Sequence, residues 1–478
     1  MSIRSFDKLF IDGAWVEPHS DSVIEVVSPI DNTVIATVPE ADTEDLNRAV
    51  AAARKAFDEG PWPRMSPQER AGYLKRIGDE VVKRIPEMSE AFTVEIGAPA
   101  AVSAAFHDNA RKMWGDSSTL YERFEFEEDR TWADGGHGKL VREPVGVAAV
   151  IIPWNGPVAT GSLKMGPALA AGCTVVFKPA PEGPVSTMLL AEAIEAAGLP
   201  DGVVNLVTGG REFGQQLVDH PDVDKVSFTG STAAGRKIMA SVADRIGRVS
   251  LELGGKSAAV ITEDAPLEDV LSTLIFAGVA NSGQVCAALT RVLVPRSRQD
   301  EVVSAMQEAY AGLTVGDPRE ETTVLGPLSS KRQQERVLDY IKIGVDEGAR
   351  LVTGGGVPEG LDGGCYVEPT IFADVTPDMR IAKEEIFGPV VSVIPYDSID
   401  EAVDIANGTE YGLSGAVYAK DDATAEAIAR RIRTGQIGIN TWDMCVTQPF
   451  GGYKQSGLGR EGNVEGLGAF LETKLLMR

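Results

Sequence analysis

The sequence predicts an α/β protein built on parallel, doubly wound sheets, and three observations carry that expectation. From about residue 145, short runs rich in β-branched residues alternate with helical stretches of roughly 10–15 residues, the rhythm of a parallel sheet. Glycine turns such as "VTGGREFG" and "FTGSTAAG" close those runs. The alternation restarts after "LELGGKS" (251–257), which puts the crossover between two α/β lobes there. A chain of 478 residues has room for two or three domains at roughly 100–200 residues each.

The elements follow in order. "ADTEDLNRAVAAARKAFDEG" begins with the capping residues Asp42 and Thr43, is alanine-rich and stops at Gly60, so it predicts a helix. "SPQERAGYLKRIGDEVVKR" opens with Ser66, has Pro67 at the first helical position and Glu69 three residues after Ser66, a capping box. The acidic "ERFEFEEDR" (122–130) reads as a solvated segment or a hairpin surface. "VGVAAVIIP" predicts a buried strand, "SLKMGPALAAG" a helix, "TVVFKP" a strand, and "PVSTMLLAEAIEAAG" a helix ending at Gly198. "VVNLVTG", "KVSFTG" and "RVSLELGG" are further strands, the second running into the helix "STAAGRKIMASVA". In the second lobe "SAAVITE" and "TRVLVP" are strands; "LEDVLSTLIFAGVANSG" and "RQDEVVSAMQEAYAGL" are helices. The glycine-rich "PFGGYKQSGLGREGNVEG" has a linker's composition, yet "GLGAFLETKLLMR" after it looks like the end of an ordered strand or helix.

Bulk properties exclude several classes. A net charge of −25 repels phosphate backbones and anionic bilayers, so neither nucleic acid nor membrane is expected as a partner. No apolar run approaches the roughly 18 residues needed to span a bilayer, and Asp7, Lys8 and Asp12 interrupt any apolar core of a secretory signal. Cys173, Cys286, Cys365 and Cys445 are far apart, with no CxxC spacing, which suggests free thiols in a reducing cytoplasm. His19, His107, His137 and His220 are equally isolated, and no metal site is expected.

Several residues can carry chemistry. Cys286, in "ANSGQVCAALTR" (280–291), is either a packing residue or a nucleophile. Glu252 is an acid in an otherwise apolar strand: buried, it would be a general base of raised pKa; on an exposed face shared with Ser250, it would be inert. Asn155 ends a buried strand, where its amide can donate to an oxyanion or simply make a turn before Gly156. Lys178 emerges at a strand's carboxyl end, suited to ribose hydroxyls or merely to the surface. Gly230 and Ser231 stand at a strand-to-helix junction that suits a pyrophosphate, or are there for steric reasons.

Six motifs occur in one order: "PWN" (153–155), "FTGSTAAG" (228–235), "LELGGKS" (251–257), "GQVC" (283–286), "EEIFGPV" (384–390) and "PFGGYKQSGLGRE" (449–461). On these the chain resembles, from end to end, the NAD(P)-dependent aldehyde dehydrogenase superfamily of the hydrolytic, non-acylating type. The resemblance implies a Rossmann-like cofactor domain (1–121 and 145–254), an α/β catalytic domain (255–455) and a small β-arm for oligomerisation (122–144 and 456–478), in a homodimer or homotetramer. It implies Cys286 as nucleophile, Glu252 as general base, Asn155 as oxyanion donor and Lys164 on the proton path from Glu252. For the cofactor it implies Ile151, Trp154, Lys178, Glu182, Gly230, Ser231, Gly254, Glu385 and Phe387. The expected reaction oxidises an aldehyde to a carboxylic acid through a thiohemiacetal and a thioester on Cys286, which water activated by Glu252 then hydrolyses.

Departures from the family pattern shape the expectations further. A glutamate often stands three residues after the cofactor lysine; here Pro181 does, and Glu182 comes one later. NAD is expected, with NADP as an alternative. Gly156 and Leu163 stand where relatives often carry rings, and Met444, Cys445 and Phe450 where the other tunnel wall would be. The expected tunnel is wide and aliphatic-lined, for medium to long or branched hydrophobic aldehydes. The rival readings are an acylating, coenzyme A-dependent relative, which typically lacks the base glutamate, and a non-catalytic binding relative, which would be expected to lose Cys286 or Glu252.

Overall fold

The computed structural model describes residues 3–478. Its first sheet has eight strands in the order Gly457–Leu458, Arg248–Glu252, Lys225–Thr229, Val147–Ile151, Thr174–Lys178, Val204–Leu206, Leu9–Ile11 and Ala14–Val16. The five strands from Arg248–Glu252 to Val204–Leu206 run parallel. Consecutive residues of each strand point to opposite faces, and both faces are buried. Ala148, Val150, Val175 and Phe177 pack against the helices Pro67–Ile96, Pro157–Ala171 and Val185–Ala196. Val147, Ala149, Val176 and Val226 pack against Thr43–Asp58, Arg211–Asp219 and Thr232–Ala243. That is why these strands read as continuous apolar runs.

The second sheet repeats the plan with seven strands: Arg350–Thr353, Thr370–Ala373, Val390–Tyr396, Arg291–Pro295, Ala258–Ile261, Gly415–Tyr418 and Gly438–Ile439. Only the first pairing, Arg350–Thr353 with Thr370–Ala373, is antiparallel. Residues 253–257 carry the chain from one sheet to the other.

Helix starts obey the expected capping chemistry. The Asp42 carboxylate accepts the N–H groups of Glu44 and Asp45, and Ser66 and Glu69 form their reciprocal box. The second helix outruns its expected end, continuing through Pro86 to Gly97. An interior proline costs about 3 kcal/mol. Pro86 faces solvent, while Leu74, Ile77, Val81, Met88 and Phe92 bury one continuous stripe that offsets the cost.

A three-stranded sheet, Leu471–Met477, His137–Pro144 and Glu127–Thr131, forms a separate arm. The acidic segment is therefore one strand of a hairpin. The expected arm boundary at 456 needs correction. Gly457–Leu458 pairs antiparallel with Leu251 and Glu252 in the first sheet, so the arm's last strand begins only at Leu471. Among the described residues no helix is long and apolar enough to cross a membrane.

Candidate active site

Four parallel strands of the first sheet end side by side. Ile151 is in register with Lys178 and with Phe228, and Thr229 with Glu252. The carboxyl edge of such a sheet is where doubly wound folds bind ligands.

Cys286 comes from the other lobe, on the loop that precedes Arg291–Pro295. Asn281, Ser282 and Gly283 before it are all left-handed, with φ of 51°, 54° and 74°. Glycine adopts this conformation freely, but Asn281 and Ser282 cost of order 1–3 kcal/mol each, and hydrogen bonds hold the loop. Ser282 Oγ donates to Gly326 O at 2.8 Å, Asn281 Nδ2 to Asn155 O at 3.3 Å, and the Ser329 N–H to Gln284 Oε1 at 2.9 Å. Any side chain at 283 would overlap the Gly388 carbonyl. A packing cysteine needs no such loop. Cys286 is half-buried, and its thiol is pushed up to about 12 by burial and then by the carboxylates of Glu385 and Glu252.

Asn155 follows the Val147–Ile151 strand, and its Nδ2 donates to Gln284 O at 2.9 Å, which fixes the amide two residues from Cys286. An amide nitrogen has two N–H groups, and one remains for a ligand.

Glu252 is 3% exposed, and neither carboxylate oxygen has a partner. Ser250 and Glu252 do share a face, but both are buried, so the exposed-strand alternative is excluded. Burial raises the Glu252 pKa well above the carboxylate range, Glu461 raises it further, and Lys164 opposes both. Lys164 itself is ion-paired with Glu461 and donates to Ser227 Oγ at 3.3 Å. The lysine assigned to the path from Glu252 is thus bonded to a second carboxylate rather than to Glu252.

On the cofactor side Lys178 is 5% exposed, which rules out an ordinary surface lysine. Its ammonium donates only to the adjacent Pro179 carbonyl, and burial lowers its pKa to about 8. Ser231 caps the helix Thr232–Ala243, accepting the Ala234 N–H at 3.3 Å. Glu182 pairs with Arg332 at 3.2 Å, across to the other lobe. Glu385 accepts the Gly255 N–H at 3.0 Å beside Gly254, and burial raises its pKa. The rings of Trp154 and Phe387 meet edge to face at 5.5 Å. An under-satisfied buried ammonium, a capped helix start and a buried carboxylate fit the ribose hydroxyls and pyrophosphate of a dinucleotide.

The tunnel residues divide. Met444 and Phe450 join Val285, Ala287, Ala288, Trp442 and Phe106 in one apolar cluster, and Gly156 lies against Phe106. Cys445 is exposed, and Leu163 lines a small separate cleft with Met113, Asp116 and Val446. Sequence reasoning missed Glu461, although it lies inside a quoted motif, and Gln284. It also missed Phe106, because the helix Ala100–Ser117 was not recognised. The spacing of Val102, Phe106, Ala110 and Met113 was its available signal.

The whole chain is similar to known proteins. The profile of the family described as "Aldehyde dehydrogenase family" matches residues 15–476. Geranial dehydrogenase from Castellaniella defragrans is 44% identical over 470 residues, covering 98% of this chain and 97% of that protein. A Mycobacterium tuberculosis aldehyde dehydrogenase complexed with NAD+ superposes with a TM-score of 0.98 at 43% identity, covering 99% of this chain and 98% of its own. A Cys-to-Ala variant of aldehyde dehydrogenase C from Pseudomonas syringae, complexed with NAD+ and octanal, gives 0.95 at 41% identity, with 98% and 96% covered. Sequence, fold and the assembled cysteine–glutamate–asparagine cleft lead to one conclusion: this chain belongs to the aldehyde dehydrogenase family.

Proposed function

We propose that this protein oxidises hydrophobic aliphatic aldehydes of medium to long or branched chain to carboxylic acids, with NAD as oxidant and water as the final nucleophile. The observation that carries the hydrolytic reading is Glu252: buried, without a hydrogen-bond partner, and near enough for its charge to raise the Cys286 thiol. A carboxylate whose pKa is raised accepts a proton that an ordinary one would not.

Cys286 gives its proton to Glu252, and its sulfur attacks the aldehyde carbon. The free Asn155 N–H and the Cys286 backbone N–H receive the oxyanion of the resulting thiohemiacetal. Bound NAD supplies the hydride acceptor. Lys178, Ser231 and the turn at Gly230 would hold its ribose and phosphate end, Ile151 and Gly254 would line its site, and Glu385, Phe387 and Trp154 would hold the nicotinamide end. After oxidation the acyl group is a thioester on Cys286. Glu252, having released the first proton, takes one from water; the hydroxide adds to the thioester carbon, the thiolate leaves, and the acid departs. Lys164 and Glu461 set the charge behind Glu252.

NAD over NADP is supported by the NAD+ complexes of the structural neighbours. The apolar cluster around Met444 and Phe450, the octanal-bound neighbour and the geranial-oxidising relative support the substrate class. We assign residues 1–121 and 145–254 to the cofactor domain and 255–455 to the catalytic domain. We further assign a cytoplasmic homodimer or homotetramer joined through the arm. Free, widely spaced cysteines support the compartment, and the exposed Leu475, Leu476 and Met477 on the arm's outer strand support the assembly.

NADH formation by the purified protein, with a chain-length series of aldehydes, tests the reaction. Reduction of NAD without coenzyme A, abolished in Cys286→Ala, is expected. Turnover only with coenzyme A would replace the hydrolytic step by acyl transfer, and a sharp preference for acetaldehyde would overturn the substrate class.

A further inference from the structure

Gly156 follows the oxyanion donor, and its small size suggests an open tunnel wall. The space above it is filled from elsewhere. A Cβ at residue 156 would stand 2.9 and 3.0 Å from Cε1 and Cδ1 of Phe106, whereas its next neighbour, Thr160 Oγ1, is 3.8 Å away. The φ of Gly156 is 177°, outside the left-handed region. The Phe106 ring is what a side chain there would strike first.

Phe106 bridges two apolar groups. It packs against the buried group Phe92, Ile96 and Ala98, as Trp154 does, and against Val285, Ala287 and Ala288, as Met444 and Phe450 do, Val285 being the residue before Cys286. Phe92, 1% exposed, anchors it with ring centroids 5.9 Å apart. Phe106 itself is only half-buried.

From this juxtaposition we propose that Phe106 is a specificity-determining residue, its ring edge walling the acyl chain at the carbons next to the carbonyl. The favoured substrates are then unbranched at the carbon beside the carbonyl and carry their apolar bulk further out. A flat ring edge beside the reacting carbon admits a methylene chain, and collides with a branch there. The inference rests on the aldehyde-oxidising reading of the same cleft and narrows it.

The test compares kcat/KM for octanal and 2-ethylhexanal, two eight-carbon aldehydes that differ in branching. The parent enzyme is expected to prefer octanal. Phe106→Ala is expected to shift the ratio towards 2-ethylhexanal by about ten-fold or more. Gly156→Phe alone is expected to raise KM for both aldehydes, because two rings compete for one space. The double variant Phe106→Ala/Gly156→Phe, which hangs a ring from the opposite wall, is expected to restore the octanal preference. Phe106→Leu, which keeps apolar packing, gives the same ratio test should the alanine variant melt early. An unchanged ratio in Phe106→Ala or Phe106→Leu, with NAD affinity and melting temperature like the parent's, overturns the inference. So does a parent that favours the branched aldehyde. A parent that reduces no NAD with any aldehyde overturns instead the reading on which the inference rests.

Discussion

Glu252, Lys164 and Glu461 form a small electrostatic system whose parts have opposite signs. The buried Glu252 carboxyl is raised by desolvation and by Glu461, and lowered by Lys164. Since the base must be ionised to take a proton from water, hydrolysis gains rate as pH rises through that raised pKa. The rising limb of kcat is therefore expected above the ordinary carboxylate range. Lys164→Met removes the opposing positive charge and is expected to move the limb to higher pH; Glu461→Gln removes a negative charge and is expected to move it lower. Stopped-flow pH profiles of thioester hydrolysis check both, and movement of the two variants in the same direction would contradict the assignment. At this scale the sequence was uneven. Cys286, Glu252 and Asn155 stood out because each is a reactive type at the edge of an apolar run. The Lys164–Glu461 pair joins residues 297 positions apart, and no local pattern carries it.

At the scale of elements, the helix Val185–Ala196 starts with Pro184 and has no side-chain cap of its own. Glu95, from the end of Pro67–Ile96, serves instead: its carboxylate accepts the N–H groups of Val185 at 2.9 Å and Ser186 at 3.1 Å, and the Ser186 hydroxyl at 2.6 Å. Glu95→Ala strands three buried donors, and an orphaned donor costs about 1–3 kcal/mol, so a clear loss of unfolding free energy in urea is expected. Burial raises the Glu95 pKa from its ordinary 4.5 to about 7. Its folded pKa lies above the unfolded one, so the unfolded state releases the proton first as pH rises. The stability that Glu95 contributes is then greatest below pH 4.5 and declines up to about pH 7. The penalty of Glu95→Ala is expected to be larger at pH 5 than at pH 8, and the reverse order would exclude this linkage. Helices with local caps, such as Thr43–Asp58, were legible from sequence. A helix capped from 90 residues away was legible only by its apolar face.

At the scale of the whole molecule, the βα alternation disclosed the two parallel lobes, because strands buried on both faces have no choice but to be apolar. The arm was known only by resemblance, since its strands are mostly exposed and its composition resembles a loop's. That exposure makes a prediction. Leu471–Met477 is an edge strand with Leu475 and Leu476 each 43% exposed and Met477 75% exposed, an apolar edge that a monomer would leave open. The double variant Leu475→Asp/Leu476→Asp is expected to lower the sedimentation coefficient to that of a 50.8 kDa monomer. An unchanged coefficient would remove the arm from the interface.

The strand Gly457–Leu458 pairs with Leu251 and Glu252, although about 200 residues of chain separate them. A growing polypeptide emerging from the ribosome has already produced Cys286 and Glu252 long before this strand exists. Until residues 457 and 458 arrive, the outer edge of Arg248–Glu252 has no strand beside it. The first sheet is thus completed only after these two residues are made: a truncated product that keeps Cys286, Glu252 and Asn155 but stops short of residue 457 lacks the strand that closes this edge of the sheet.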